Sequence, residues 1–141
     1  MQLDQTLIDA AISLALERWP RGEAGAAALY TSTGRILTSV FAHSPHESAR
    51  LCHETGAICE AHKLRERITA SVCVHRDDEH TPFIILPPCG ICVERLAYWG
   101  REVQVAVPKP TESAKWLAKR LDEVQPYYWR IAWPPGNDFA S

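Results

Sequence analysis

No run of basic residues occurs in the chain: 15 Lys and Arg stand against 17 Asp and Glu, a formal net charge of −2. Phosphate backbones are held by clustered Lys and Arg, so this balance argues against a nucleic-acid partner. No apolar run approaches the roughly 20 residues of a membrane span, so no membrane partner is expected either. The opening stretch, "MQLDQTLIDAAISLALERW", carries Asp4 and Asp9 and has no basic lead, unlike a secretory signal. Internal repeats, linkers and low-complexity blocks are absent. The five cysteines are an odd number. With a CxxC spacing among them and no export signal, they fit a reducing cytoplasm better than a disulfide framework.

What is present is the composition of a soluble globule, 46% hydrophobic and 23% charged. A length of 141 residues fits a single domain over 1–141. A domain of that size buries roughly two thirds of its unfolded surface and needs no staple.

Leu3, Leu7, Ile8, Ala11, Ile12, Leu14, Ala15 and Trp19 recur at helical spacing, and Pro20 and Gly22 close that first helix. "AGAAALYTSTGRILTSVF" reads as a hairpin, with strands over Ala24–Tyr30 and Arg35–Phe41. A second helix is expected from about Ala49 to Arg67, with Leu51, Ile58, Ala61 and Leu64 on its buried side. "TASVCVH" and "PFIILP" read as third and fourth strands, the latter with the apolar run of a sheet centre. "CGICVERLAYWG" is a third helix stopped by Gly100, and "EVQVAVP" a fifth strand. "TESAKWLAKRLDEV" reads as a final amphipathic helix, with its cap in the Thr111/Ser113 region. An aromatic and proline-rich tail follows. This order predicts an α/β fold, a three-layer α/β/α sandwich around a five-stranded mixed sheet.

The chemistry concentrates in "LCHETGAIC" (51–59) and "LPPCGICVERL" (86–96). Thiolates are preferred Zn²⁺ ligands, and a catalytic zinc keeps three protein ligands and one open position. Cys89 and Cys92 lie one turn apart at the start of the third helix, and Cys52 falls in the first turn of the second. Helix starts carry partial positive charge and favour the thiolate form. Glu54, two residues beyond Cys52, can reach the open position without being a ligand and move protons there. A redox role for Cys89 and Cys92 alone would leave Cys52-x-Glu54 unexplained. A purely structural zinc would need a fourth ligand, and Cys59, about two turns past Cys52, is too far along a helix to supply it.

Cys-x-Glu followed by Pro-Cys-x-x-Cys resembles the zinc-dependent cytidine deaminase superfamily. Cysteine as the first ligand points to the branch of free-nucleoside cytidine deaminases and blasticidin S deaminase. "AGAAALYTSTGRI" is similar to the hairpin of that branch. The resemblance runs from the first helix to about Val107. It implies Zn²⁺ on Cys52, Cys89 and Cys92, with Glu54 as the proton shuttle. An activated water would attack the amine-bearing carbon of a cytosine-like base, and Glu54 would protonate the ring nitrogen and then the departing ammonia. It also implies a small-molecule substrate and a homo-oligomer, tetramer or dimer, in the cytoplasm.

Two departures from that branch stand out. Its nucleoside enzymes carry an Asn-x-Glu pair that binds the sugar hydroxyls. Counting back from Cys52, those positions hold Phe41 and His43, so ribose reading in the usual manner is not expected. Many relatives place Arg after the catalytic Glu, where this chain has Thr55. Three thiolates on Zn²⁺ carry a formal −1, which the two helix ends must then offset. "PYYW" is similar to the aromatic C-terminus that closes the pocket of blasticidin S deaminase, which makes Tyr127 and Trp129 further candidate substrate contacts. Packing or interface roles are the plainer reading of both. Cys59 and Cys73 read as core. His53 reads as facing solvent or a neighbouring subunit. His43 and His46 lie in the loop before the zinc helix, either solvated or lining the pocket. The function expected is hydrolytic deamination of a cytosine-like nucleoside or analogue. The alternatives are a blasticidin-type or other amino-heterocycle deaminase, or an inactive zinc-binding fold.

Overall fold

A computed structural model of the chain describes residues 2–133. Helix α1 (Gln5–Arg18) starts at Asp4, whose carboxylate accepts from the Leu7 N–H at 3.0 Å and from the Tyr30 hydroxyl at 2.8 Å. Strands β1 (Ala24–Thr31) and β2 (Ile36–Val40) form the expected hairpin. Strand β3 (Ile68–Arg76) pairs antiparallel with β1, and β5 (Gln104–Lys109) pairs parallel with β3. The sheet runs β2-β1-β3-β5-β6, where β6 is Glu112–Arg120.

All eight residues of β1 are buried. Its small side chains let helices approach both faces, and strand alternation sorts the contacts. Ala28 and Tyr30, with Val72 and Val74, pack against Leu7, Ile8 and Ala11 of α1. Ala27 and Leu29 face the opposite layer, formed by α2 (Thr55–Leu64) and α3 (Gly90–Leu96) through Ala57, Ile58, Ala61, Val93 and Leu96. The predicted three-layer sandwich is therefore present. Buried Arg76 donates to the carbonyls of Trp19, Pro20 and Gly22 at 3.1 Å each, clamping the α1–β1 connection. Among the described residues, no helix is long and apolar enough to cross a membrane.

Several sequence expectations are corrected. The stretch read as a final helix is the antiparallel edge strand β6, followed by the single-turn α4 (Leu121–Val124). Its Ala, Lys, Leu and Glu favour a helix locally, but β5 has an open edge. Pairing Val107 with Leu117 and Pro108 with Trp116 satisfies that edge, so tertiary context overrides propensity. Lys115, Lys119 and Arg120 then charge the new outer edge against further pairing. The predicted fourth strand shrinks to β4 (Ile84–Ile85), bonded only to Val74 and His75, because Pro82, Pro87 and Pro88 deny it backbone donors. The second helix is shorter than expected at both ends. A 3₁₀ turn at Glu47–Ala49 precedes it, and Leu51 forms an isolated bridge with Ala42. Leu51 is 49% exposed rather than core. Arg65, at φ 57°, ends the helix. Gly100, at φ 114°, ends the 3₁₀ turn after α3. The aromatic tail is described as far as Trp133, and its last eight residues lie outside the described region.

Candidate active site

Cys52 lies just ahead of α2 rather than inside its first turn, in a tight turn closed by the Thr55 N–H on the Cys52 carbonyl at 3.1 Å. Cys89 is the N-cap of α3, and Cys92 sits on its first turn. The two helices pack side by side on one face of the sheet, so three cysteines up to 40 positions apart converge. Their sulfurs all lie within 4.8 Å of one another, with Cys52 and Cys89 at 3.5 Å. A tetrahedral zinc with bonds of about 2.3 Å holds its sulfurs about 3.8 Å apart, so the donor set and spacing fit Zn²⁺. Among the described residues, the group closes at three ligands.

The thiols differ in electrostatic setting. Burial opposes ionisation of Cys89, but the backbone N–H groups of Cys92 and Ile91 and the Cys52 thiol outweigh it and bring its pKa down. Burial raises Cys52 and, more strongly, Cys92, which also lies against Glu54. Glu54 is 4% exposed and stands at the N-cap of α2 without making a side-chain cap bond. Its Oε2 accepts from the Cys92 thiol at 3.3 Å. Burial pushes its carboxyl upward, against hydrogen bonds from its own backbone and from Cys92 and Cys73. Cys73 is buried core as expected, but it comes from β3 beneath the site, and its thiol is raised well above the usual range by burial.

Three features of the site were not foreseen. Thr55 replaces the expected Arg, yet Arg95 Nη1 donates to Thr55 Oγ1 at 2.9 Å and its charge acts on Glu54. Arg95 is three residues past Cys92, on the same helical face, a spacing that is visible in sequence. His53 is half-buried rather than turned out to solvent. Its Nε2 meets His75 Nδ1 at 3.1 Å, and burial followed by the neighbouring His75 pushes its pKa down to about 4. Cys59 is exposed, not core.

The structure gathers Phe41 and His43 into one cluster. Phe41 stacks on Trp19 at 4.5 Å, meets His43 edge-on at 4.8 Å and packs against His53 and His75. His46 accepts from the Ser48 backbone at the start of the 3₁₀ turn. Tyr127 is 91% exposed. Trp129, half-exposed, donates its indole N–H to Glu94 of α3 at 3.0 Å, which ties the aromatic tail to the helix that carries two of the cysteines. Neither is core.

Three sulfurs leave a tetrahedral ion one position short, and a structural site would fill that position with protein. With that position open to water and a buried carboxylate beside it, Cys52, Cys89 and Cys92 would hold Zn²⁺ in the manner of a zinc-dependent hydrolase. No family model matches the chain, and no curated protein sequence does. Solved structures do. The cytidine deaminase from Bacillus anthracis is 44% identical over 91% of this chain and 90% of its own, with a TM-score of 0.85. A mutant cytidine deaminase from Mycobacterium tuberculosis is 25% identical over 91% of this chain and 96% of its own, at 0.68. The Burkholderia pseudomallei enzyme shares the fold at 18% identity, covering 91% of this chain and 100% of its own, at 0.69. The chain belongs to the cytidine deaminase family.

Proposed function

We propose that this protein hydrolytically deaminates a cytosine-like heterocycle, a free nucleoside or analogue, with Cys52, Cys89 and Cys92 holding Zn²⁺ and Glu54 moving the protons. The observation that carries the reading is Glu54 itself, a buried carboxylate 3.3 Å from one sulfur of an open three-thiol group. Zn²⁺ held by these thiolates supplies a Lewis acid that activates water at neutral pH. Glu54 would take a proton from water and pass it to the ring nitrogen, then take the added hydroxyl's proton and pass it to the amine as it leaves as ammonia, and burial, which favours the protonated carboxyl, strengthens it as the acid in each transfer. Arg95, hydrogen-bonded to Thr55, brings its charge to bear on Glu54 from the neighbouring helix. An inactive zinc fold would have no use for a buried carboxylate here, since desolvating it costs stability. Ammonia release on cytidine, deoxycytidine, cytosine, blasticidin S, guanine and adenosine tests the reading, and turnover of none of them would overturn it.

A second reading, deamination that ignores ribose, is favoured by Phe41. The ring sits against Trp19 on one side and against three imidazoles elsewhere, and phenylalanine cannot bond a hydroxyl. A site that hydrogen-bonds hydroxyls rejects analogues lacking them far more strongly than an apolar wall does. Cytidine and its 2′,3′-dideoxy analogue are therefore expected to react with kcat/KM values within roughly tenfold, about 1.4 kcal/mol. A preference of several hundredfold for cytidine would show that another group reads the sugar.

The protein is further proposed to be a cytoplasmic homo-oligomer. Leu51, Ile91, Tyr127, Trp129, Ile131 and Trp133 are large apolar residues left exposed, on the segments that carry the cysteines and on the tail tied to α3. Sedimentation equilibrium is expected to give at least twice the chain mass of 15.8 kDa, and a monomer at micromolar concentration would count against association.

A further inference from the structure

His53 sits between a cysteine of the metal group and the proposed shuttle, and the structure grips it from three strands and a loop. On β2, Ser39 Oγ donates to the His53 carbonyl at 2.6 Å. On β3, His75 Nδ1 meets His53 Nε2 at 3.1 Å, and His75 Nε2 in turn meets Glu23 Oε2 at 3.1 Å. On β1, Gly25 lies opposite His75 in register, and a Cβ there would sit 2.6 Å from His75 Nδ1 and nearer still to His53 Nε2. Only glycine leaves room for the pair. Phe41 covers both rings, with centroids 4.9 Å from His53 and 5.8 Å from His75.

Hydrogen-bond chemistry gives this chain a direction. A carboxylate only accepts, so His75 Nε2 carries its proton toward Glu23. The Nδ1 of a neutral His75 is then an acceptor, and His53 Nε2 must donate to it. One tautomer and one ring orientation of His53 follow.

We propose that Glu23, His75 and His53 form a positioning chain that fixes the peptide between Cys52 and Glu54, and with it the geometry of the metal and the shuttle. This rests on the proposed reading of the site. His53 and His75 are positioning residues, not groups that touch substrate. Outer-shell partners of this kind typically change metal affinity or activity by 10–100-fold when removed. The plain alternative is that the two imidazoles only fill space, in which case an apolar side chain of similar size would serve as well.

The test is a set of variants at the outer links, read on the cobalt-substituted protein. His75→Leu keeps volume and removes the acceptor. His75→Asn places an amide oxygen where Nδ1 was and restores it. Expected for His75→Leu are shifted thiolate-to-cobalt charge-transfer bands, Zn²⁺ affinity by chelator competition lower by roughly 10–100-fold, and kcat lower by a similar factor with KM little changed. His75→Asn is expected to recover most of each. Wild-type bands and Zn²⁺ affinity in His75→Leu, with or without a lower melting temperature, would overturn the proposal and leave a packing role. Should His75→Leu fail to fold, Glu23→Ala decides: its side chain is half exposed, and the same bands must shift in it. Unchanged bands there would overturn the chain. If the wild type deaminates nothing on the panel, the functional reading fails, while the cobalt spectra still decide the positioning claim.

Discussion

Glu54→Gln is expected to keep its fold and its zinc and to lose at least about 10³ in kcat. One general acid–base transfer is worth roughly 10²–10⁴ in rate, and the proposed reaction asks this carboxyl for several transfers. Glutamine matches the shape and still hydrogen-bonds, but it exchanges no proton. Ground-state binding should survive, so kcat carries the loss rather than KM. The competing reading is that Glu54 merely favours the first turn of α2 through its charge, worth about 0.3–1 kcal/mol. That reading is weakened by the absence of any side-chain cap bond at Glu54. The pH dependence of stability separates the two further. Burial raises the folded-state carboxyl, so in metal-free protein its contribution is full below the ordinary carboxylate range and is lost as pH rises through the raised value. Metal-free Glu54→Gln escapes that loss and should gain on wild type in thermal stability from acid toward neutral pH. A helix-charge role predicts the opposite, a variant slightly less stable at neutral pH and fully active. Zinc content, melting curves and turnover on one preparation decide, and retained turnover would leave the catalytic reading without support.

The parts of the site that were legible in sequence are those set by ligand chemistry over short spacings. Cys52-x-Glu54 and Cys89-x-x-Cys92 each place their side chains within a turn, and thiolate preference does the rest. Residues whose roles depend on distant neighbours were not legible. His53 turns inward because Gly25 leaves space and His75, 22 positions on, offers an acceptor, and neither fact is visible from residues 51–59. Arg95 reaches Thr55 and Glu54 from a different helix, which shows only once α2 and α3 are side by side. The fold behaves in the same way. The layers follow from the apolar periodicity of α1, α2 and α3 and from buried β1. The stretch over 112–120 misleads because its composition suits a helix, while the open edge of β5 decides in favour of a strand. The apolar run at 83–86 suggests a central strand, but flanking prolines leave it two bonded residues.

Protein purified without added metal should contain about one zinc per chain, and the Cys89→Ala, Cys92→Ala double variant should contain essentially none. Structural thiolate sites bind Zn²⁺ with apparent free energies of about 10–16 kcal/mol, and removing two of three ligands leaves Cys52 alone. Two other sulfurs need to be discounted. Cys59 is exposed on α2 and outside the metal group. Cys73 is the serious competitor, since it lies against Glu54 beneath the site, but its sulfur falls outside the group that Cys52, Cys89 and Cys92 form. Cys73→Ala is accordingly expected to retain zinc. Because bound metal stabilises only the folded state, a chelator should lower the melting temperature of wild type and of Cys73→Ala. The double variant should melt at one temperature with or without it. Elemental analysis of the three proteins checks the first half and paired melting curves the second. Full zinc occupancy in the double variant would refute the ligand assignment.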